Sequence, residues 1–597
     1  MKHLGRYAIR FLTRLFNLSI QTAETPAIWR SATIIPVVKP GKPADRGKSY
    51  RPISLLCPEV KVLERLLLPD LTSALQPGPT QHGFRPGRST ISALLPLATT
   101  VARGFNQRKP AFRTGLFCGD LSSAFDVVDY DKLVHKISAT SLHPNLKRWV
   151  AAYLRDRRVR VLYQGVASKW RKQKMGVPQG SVISPIIFNF FVSELATSAE
   201  VNIAYADDNH AATSDVDLHD IAANLNSAAG EMASRAEEIG MGLSAPKSTT
   251  TLFTPWTVQF DRLPPIQVNG APATATRNPK LLGVVFDPSL TFNAHAIALV
   301  KKGRGRIRLL SALANTEWGK DKECLLATYK TFIRPILEYG APITYPNLSS
   351  SSIHRLQLVQ NRCLRLCTGC HSAASLDHLH NECALLPVED HMRLISSQYL
   401  ARALQPHQVN HRDVTSINGP RNMKQTLQSK CISTIRPFMN TDTVHFTEYR
   451  GILQNIHTSI VNETKDKFPP NRVLNCAAPD INPEEEALPR ATRVALSRIR
   501  SGFCYNLLSY QYRIGKSITD LCPECDASPH TSDHLFNCPS HPTNLNSSEL
   551  WENPWDAAEF IRSLPQFSNL PDPGARPPPR RGRRRRPPRA PPDDNST

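Results

Sequence analysis

The sequence predicts an α+β fold, with strands and helices mixed through about residue 295 and a mostly helical chain after that. Three observations predict it. Short β-branched runs alternate with breaker-rich turns, as at Ile34-Ile35-Pro36-Val37-Val38 and from Tyr50 to Leu56. Two further apolar strands, Gly115 to Asp120 and Val201 to Tyr205, each lead directly into carboxylates. From Ala296 onward the apolar residues recur at helical spacing.

A chain of 597 residues has room for several cores. Its formal net charge is +23, and the eight arginines between Arg576 and Arg589 account for only a third of that. The body is basic in its own right, which favours a polyanionic partner. No secretory h-region opens the chain and no apolar run is long enough to cross a bilayer, so no membrane partner is expected. Thirteen scattered cysteines, an odd number, fit a reducing intracellular setting.

Taken in order, Lys2 to Ile20 reads as a first helix rather than a mitochondrial presequence. Leu4, Ala8, Phe11, Leu12, Leu15 and Leu18 make one apolar stripe along it. Pro36 should hold its strand at a sheet edge. The turn Lys39-Pro40-Gly41-Lys42-Pro43 leads to a second strand with Arg51 at its mouth. A helix from Val60 to Leu68 follows, with Glu64 and Arg65 facing solvent or pairing locally. Gln81 to Thr90 is a basic loop in which Ser89 or Thr90 caps the next helix. Arg85 and its neighbours there suit a phosphate or form a solvated turn.

An acid ending a core strand is costly unless it binds something, which singles out Asp120. Phe125, five residues on, can flank whatever Asp120 holds; Asp126 and Asp129 read as helix caps. After a strand at Val159 to Tyr163, Met175 to Pro185 is a tight loop with Gln179 at its tip. Its glycines, Gly176 and Gly180, let backbone approach a flat ligand. Ser184 and Pro185 read as N-cap and first helical residue. The adjacent acids Asp207 and Asp208 resist joint ionisation. A pair of divalent cations resolves that, with Asp120 as the third carboxylate.

In the helical part, Tyr329, Phe332, Ile333, Ile336 and Leu337 share a face. A second helix from Ile353 to Cys367 buries Ile353, Leu356, Val359 and Cys363 and leaves Arg355, Arg362 and Arg365 for solvent or a phosphate backbone. Residues 401–490 offer no acid constellation of the RNase H kind. An arginine-rich helix covers Leu488 to Ser509. Cys522-x₂-Cys525 with Cys538 and either His530 or His534 has the makings of a four-coordinate zinc site. The Pro/Arg tail from about Pro571 cannot bury a core. It reads as disordered, a nonspecific nucleic-acid binder or a nuclear import signal.

Seven segments occur in a telling order: Ile34 to Lys42, Tyr50 to Leu56, Gln81 to Thr90, Gly119 to Asp129, Gly176 to Pro185, Tyr205 to Asp208 and Lys280 to Asp287. The set resembles the reverse transcriptases of non-LTR retrotransposons, jockey-like elements in particular. The resemblance is strong over roughly residues 1–400. It implies a right-hand polymerase with fingers and a leading helix at 1–110, a palm at 111–260, a primer grip at 261–295 and a helical thumb at 296–400. A mostly helical connector at 401–515, a zinc knuckle at 516–545 and a tail at 546–597 complete the expected division.

By the same resemblance the reaction is RNA-directed DNA polymerisation, with an RNA template, a DNA primer and dNTPs, in the nucleus or cytoplasm. Asp120 and Asp207 are the core ligands of two Mg²⁺ (or Mn²⁺) ions and Asp208 assists. Phe125 walls the sugar, Gln179 and Gly180 line the nascent base pair, and Arg51, Lys48 and Arg85 hold the triphosphate. Lys247 protonates pyrophosphate, neutralises phosphate or simply faces solvent. Cys522, Cys525, His534 and Cys538 hold a structural zinc. Ser123, where lysine is common, and Asn209, where an apolar residue or threonine is usual, depart from the pattern. The chain opens at the leading helix, so an endonuclease is not expected in it. The competing reading is a catalytically idle nucleic-acid-binding remnant.

Overall fold

The computed structural model describes residues 4–121, 124–315, 319–416, 419–572 and 574. Ser123 and the arginine tail lie outside the described residues. The chain forms two compact units. One comprises Met1–His295, Gly340–Ser349 and Ile395–Ile456; the other comprises Ala296–Tyr339, Ser350–Leu394 and His457–Thr597.

In the first unit, helix α1 (Arg6–Thr22) turns Phe16 and Ser19 inward and half-buries Ala8, Leu12 and Leu15. Leu4, Phe11 and Leu18 stay exposed, so the stripe of the sequence splits: only its 8-12-15 side meets the core. Strand β1 (Ser31–Val38) pairs antiparallel with β2 (Tyr50–Leu55), and Pro36 faces Pro52, so two residues without an N–H oppose each other. Helices α2 (Pro58–Ala74) and α3 (Thr90–Asn106) follow; Ser89 caps α3 in a reciprocal box with Ser92. Next come β3 (Arg113–Asp120), α4 (Tyr130–Ser138) capped by Asp129, α5 (Pro144–Leu154), β4 (Arg158–Tyr163), β5 (Val166–Ala167) and β6 (Arg171–Lys172). β4 joins β1 in parallel at Ser31 to Ile34. β1 is therefore internal, contrary to the edge position expected from Pro36. The proline is tolerated because β4 has left the strand before reaching it.

Helix α6 (Ser184–Phe191) leads to β7 (Val201–Tyr205), β8 (Asp208–Asp215), α7 (Leu218–Glu238) and β9 (Thr249–Phe253). A short hairpin, β10 (Gln267–Val268) with β11 (Ala271–Pro272), precedes β12 (Thr274–Ala275). The central sheet runs β12-β9-β3-β8-β7. Helix α7 lies against it so closely that a Cβ on Gly115 would stand 2.4 Å from the Ile221 side chain and one on Gly119 2.6 Å from Met232. β13 (Lys280–Leu281) and β14 (Val284–Val285) close a two-residue hairpin at Leu282 and Gly283, both at positive φ.

The later segments of this unit pack back onto α3. Asn410 donates to the Ser92 carbonyl (3.1 Å), Arg103 to that of Asp413 (2.6 Å) and Asn106 to that of Lys424 (2.7 Å).

The second unit is helical, with a core of Leu496, Ile499, Leu507, Phe536, Trp551, Trp555 and their neighbours. Phe332 is exposed rather than sharing the buried face of Tyr329 and Ile333, because the helix ends at Phe332 and the chain turns. In helix Ser350–Thr368, Ile353, Leu356, Val359 and Cys363 face inward. The arginines of helix Arg490–Arg500 do not form an open basic face: Arg490, Arg493 and Arg500 are buried. Arg500 donates to Glu382 (2.8 Å) and to Glu485, and Lys322 reaches Glu485 at 2.7 Å. Burial pushes the Glu382 carboxyl up, but Arg500 and Lys322 outweigh it and hold it far below the usual carboxylate range. Among the described residues no helix is long and apolar enough to cross a membrane.

Candidate active site

β7 and β8 form a hairpin whose tip is Ala206-Asp207, closed by the pair Tyr205 and Asp208. Ala206 takes a φ of +57°, unusual for a residue with a side chain. β8 pairs with β3 so that Asp208 faces Asp120 directly across the ladder. Directly opposed residues have Cβ atoms roughly 5 Å apart, which brings carboxylates from two distant segments together. Asp207, one residue earlier, sits on the turn above them. All three side chains reach solvent at least in part. Even so, protein crowds Asp208, and this desolvation, then the charges of Asp207 and Asp120, push its carboxyl up to about 6. Desolvation followed by the Asp120 charge also raises Asp207, while Arg51 pulls it down. Lys247 Nζ lies 3.1 Å from Asp120 Oδ1. The rung behind the acids, Cys118 opposite His210, adds no charge: burial lifts the thiol to about 12 and drops the imidazole to about 4.

The turn is held by residues the sequence did not single out. Gln81 is buried; its Oε1 accepts from the backbone N–H groups of Gly83 and Ala206, both at 2.9 Å, and its Nε2 donates to the Ala206 carbonyl. The His82 N–H donates to the Ala204 carbonyl (2.8 Å), so this loop lies along β7 as a further edge. Gly83 is obligatory there, since a Cβ would stand 2.6 Å from the Ala206 nitrogen. Asn209, one of the two departures noted above, is buried and donates to the Asp207 carbonyl at 3.1 Å. An apolar residue could not make that bond. The available signal for Gln81 was its place two residues before Gly83 at the head of the basic loop, which does not distinguish it from an ordinary turn residue.

The loop at Gln179 is held in the same manner. The Gln179 carbonyl accepts from the Ser54 N–H of β2 (2.8 Å), and its Nε2 donates to Asp126 at 3.2 Å. Asp126 thus holds Gln179 and does not cap a helix. Gly176 and Gly180 both have positive φ and lie where a Cβ would strike backbone, of Asp126 at 2.7 Å and of Ser54 at 2.4 Å. Glu64 does not face solvent but is fully buried. It accepts from Ser181 Oγ (2.6 Å) and from the Val182 N–H (2.8 Å). Ser181 in turn accepts from the N–H groups of Ile183 and Ser184, so it, not Ser184, caps α6.

Phe125 stacks on Phe188 with centroids 4.0 Å apart and meets Phe84 edge-on at 6.5 Å. Arg51 is exposed on β2, within electrostatic reach of Asp207. Lys48 is exposed in the loop before it. Arg85 is not free for a phosphate: its Nη1 donates to the carbonyls of Gly78 (2.9 Å) and Gln81 (3.2 Å). Arg88 likewise donates to the Gln81 carbonyl. These arginines staple the loop that carries Gln81.

In the second unit, Cys522, Cys525, His534 and Cys538 each present a ligand atom, all within 4.8 Å of one another. His530 is not part of the group. It is buried, its Nδ1 accepts from the Leu508 N–H and its Nε2 meets Gln566.

The profile of the reverse transcriptase (RNA-dependent DNA polymerase) domain matches residues 39–286. Three Drosophila melanogaster proteins are similar over the greater part of the chain. The "Probable RNA-directed DNA polymerase from transposon BS" is 28% identical over 71% of this chain and 48% of its own length. That from transposon X-element is 30% identical over 67% of this chain and 44% of its own. The "RNA-directed DNA polymerase from mobile element jockey" is 26% identical over 66% and 44%. The chain thus spans about half the length of the curated relatives it matches. Residues 39–286 are a reverse transcriptase domain, homologous to the non-LTR retrotransposon polymerases of BS, X-element and jockey.

Proposed function

We propose that this chain is an RNA-directed DNA polymerase that extends a primer 3′-hydroxyl by phosphoryl transfer. The observation that carries the reading is the pairing of Asp120 with Asp208 across two strands, with Asp207 on the adjoining turn. Three carboxylates facing one lysine and one arginine leave an excess of hard oxygen donors, which fits Mg²⁺ or Mn²⁺. Asp120, Asp207 and Asp208 would hold the ions. Bound there, such ions supply charge neutralisation for the attacking and leaving oxygens.

The protein's own part is positioning. Gln81, Gly83 and Asn209 fix the Asp207 turn. Glu64 and Ser181 fix the loop that presents Gln179 beside Asp126, where it can meet a nascent base pair. Phe125, braced by Phe188, forms an aromatic wall suited to rejecting a 2′-hydroxyl. Arg51 and Lys48 are free to meet a triphosphate. Exposed Lys301, Lys302, Arg304, Arg306 and Arg308 on helix Asn293–Leu313 suit a nucleic-acid backbone and were not recognised in the sequence. For the Cys₃His group, its donor set favours a structural zinc held by Cys522, Cys525, His534 and Cys538.

Primer extension on an RNA template with Mg²⁺ tests the reading. Extension by the wild-type chain that Asp207→Ala abolishes supports it. Template–primer binding without extension in the wild type would establish the idle remnant instead.

A further inference from the structure

Phe503, in the second unit, carries two guanidiniums. Arg472 lies 5.0 Å and Arg513 5.2 Å from the centre of its ring. Arg513 also lies 5.5 Å from the Tyr510 ring and donates to the Gly502 carbonyl at 2.8 Å. Among the described residues neither arginine has a carboxylate within ion-pair distance. This contrasts with Arg493 and Arg500 nearby in sequence, which are both paired with glutamates. Arg472 and Arg513 are both exposed, so their charges remain available to an anion from solvent. Stacking on the ring holds each guanidinium plane, and the free N–H groups offer the fork geometry that suits a phosphate.

Arg472 and Phe503, the ring that both guanidiniums share, line a cleft of about 390 Å³ together with Ser375, Asp377, Asn381 and Phe468. Two aromatic rings and several amide and hydroxyl groups make a wall suited to a base. Lys465, also at the cleft, is already paired with Asp480 at 2.8 Å. Asp377 lines the same cleft, where its carboxylate can accept from a base N–H and would repel a second anionic side chain. That disfavours an acidic peptide and favours one phosphate with a neutral group beside it.

We propose that Arg472 and Arg513 grip one phosphate of single-stranded nucleic acid while the adjoining nucleoside enters the cleft between Phe468 and Phe503. The choice of polymer rests on the polymerase reading; the site itself does not.

The test uses the full chain and a 3′-blocked fluorescent oligouridylate, without nucleotides or Mg²⁺, so catalysis plays no part. Arg472→Ala/Arg513→Ala should weaken binding at least fivefold. It should also flatten the plot of log affinity against log salt by about 0.7, the value for one phosphate contact on a single strand. Arg472→Lys/Arg513→Lys should restore most of the slope but not the affinity. No turnover occurs in this assay, so a failed polymerase reading leaves its result intact. A 4-thiouridine oligomer should crosslink to a peptide containing Phe503 or Phe468 in the wild-type chain, which covers the case of a poorly folded variant. Unchanged affinity and slope, no crosslink at those peptides, or equally potent displacement by oligoglutamate would overturn the proposal.

Discussion

Lys247 Nζ lies 3.1 Å from Asp120 Oδ1, so the carboxylate that faces Asp208 already has an ammonium on it. Both side chains are well exposed, at 59% and 44%, so the pair adds little to stability. Its effect is on occupancy, because the lysine competes for the oxygen a cation would take. Lys247→Gln should lower the Mg²⁺ concentration for half-maximal extension about two- to fivefold. A titration of extension rate against Mg²⁺ checks this; a half-maximum that rises would mean that Lys247 helps the metals rather than competing with them.

Asp208 makes the metal-free fold sensitive to pH. Its folded-state value of about 6 lies above its ordinary 3.8, so the proton favours the fold. That contribution is fully present below about pH 4 and disappears as pH rises through about 6. Asp208→Asn should therefore stabilise the metal-free chain at pH 7.5, by about 1 kcal/mol once solvent exposure is allowed for. At pH 4.5 it should be nearly neutral. Urea denaturation in EDTA at the two pH values measures the difference.

Glu64 is buried with two donors aimed at it. Glu64→Ala leaves Ser181 and the Val182 N–H unpaired and should cost about 2–3 kcal/mol. Because the same loop presents Gln179, the apparent KM for dNTPs should rise more than kcat falls. Glu64→Gln, which keeps one acceptor, should show a smaller change in both. Steady-state extension beside a denaturation curve separates the two effects.

Gly83→Ala puts a methyl group against the Ala206 nitrogen and should displace the Asp207 turn. Extension should fall at least tenfold while template–primer binding stays within about twofold, since nothing at Gly83 contacts a phosphate. Comparable losses in both assays would mean that the whole unit has been disturbed.

Cys522→Ser should abolish bound zinc measured by atomic absorption. His530→Ala should leave the metal content unchanged and lower stability by about 1 kcal/mol through loss of its bonds to Leu508 and Gln566. Metal lost in the His530 variant would reassign the fourth ligand.

The strands ending on acids were legible because an apolar run meeting a carboxylate is a local conflict, and such conflicts sit at sites. Asp120, Asp207 and Asp208 could be grouped before any pairing was known. Gln81 and Glu64 could not be placed, because their partners lie 125 and 118 residues away and polar residues look alike until the fold brings those partners together. The arginines of helix Arg490–Arg500 mislead for the same reason. Two of their counter-charges, Glu323 and Glu382, lie more than 100 residues upstream, so nothing local in the sequence pairs them with these arginines. α1 shows a subtler limit, since a stripe of apolar residues tells that a helix is amphipathic but not how wide a band the core will cover.

Helix α3 gains its last neighbours from residues near 410 and 424, more than 300 positions downstream. During synthesis, the first unit therefore has to wait for about 140 residues beyond the matched domain before the Ser92 carbonyl and the Asn106 side chain find these partners. Until then a nascent chain carries an unfinished flank. A fragment cut at the end of that domain should lack these bonds and leave this flank of the helix open to water.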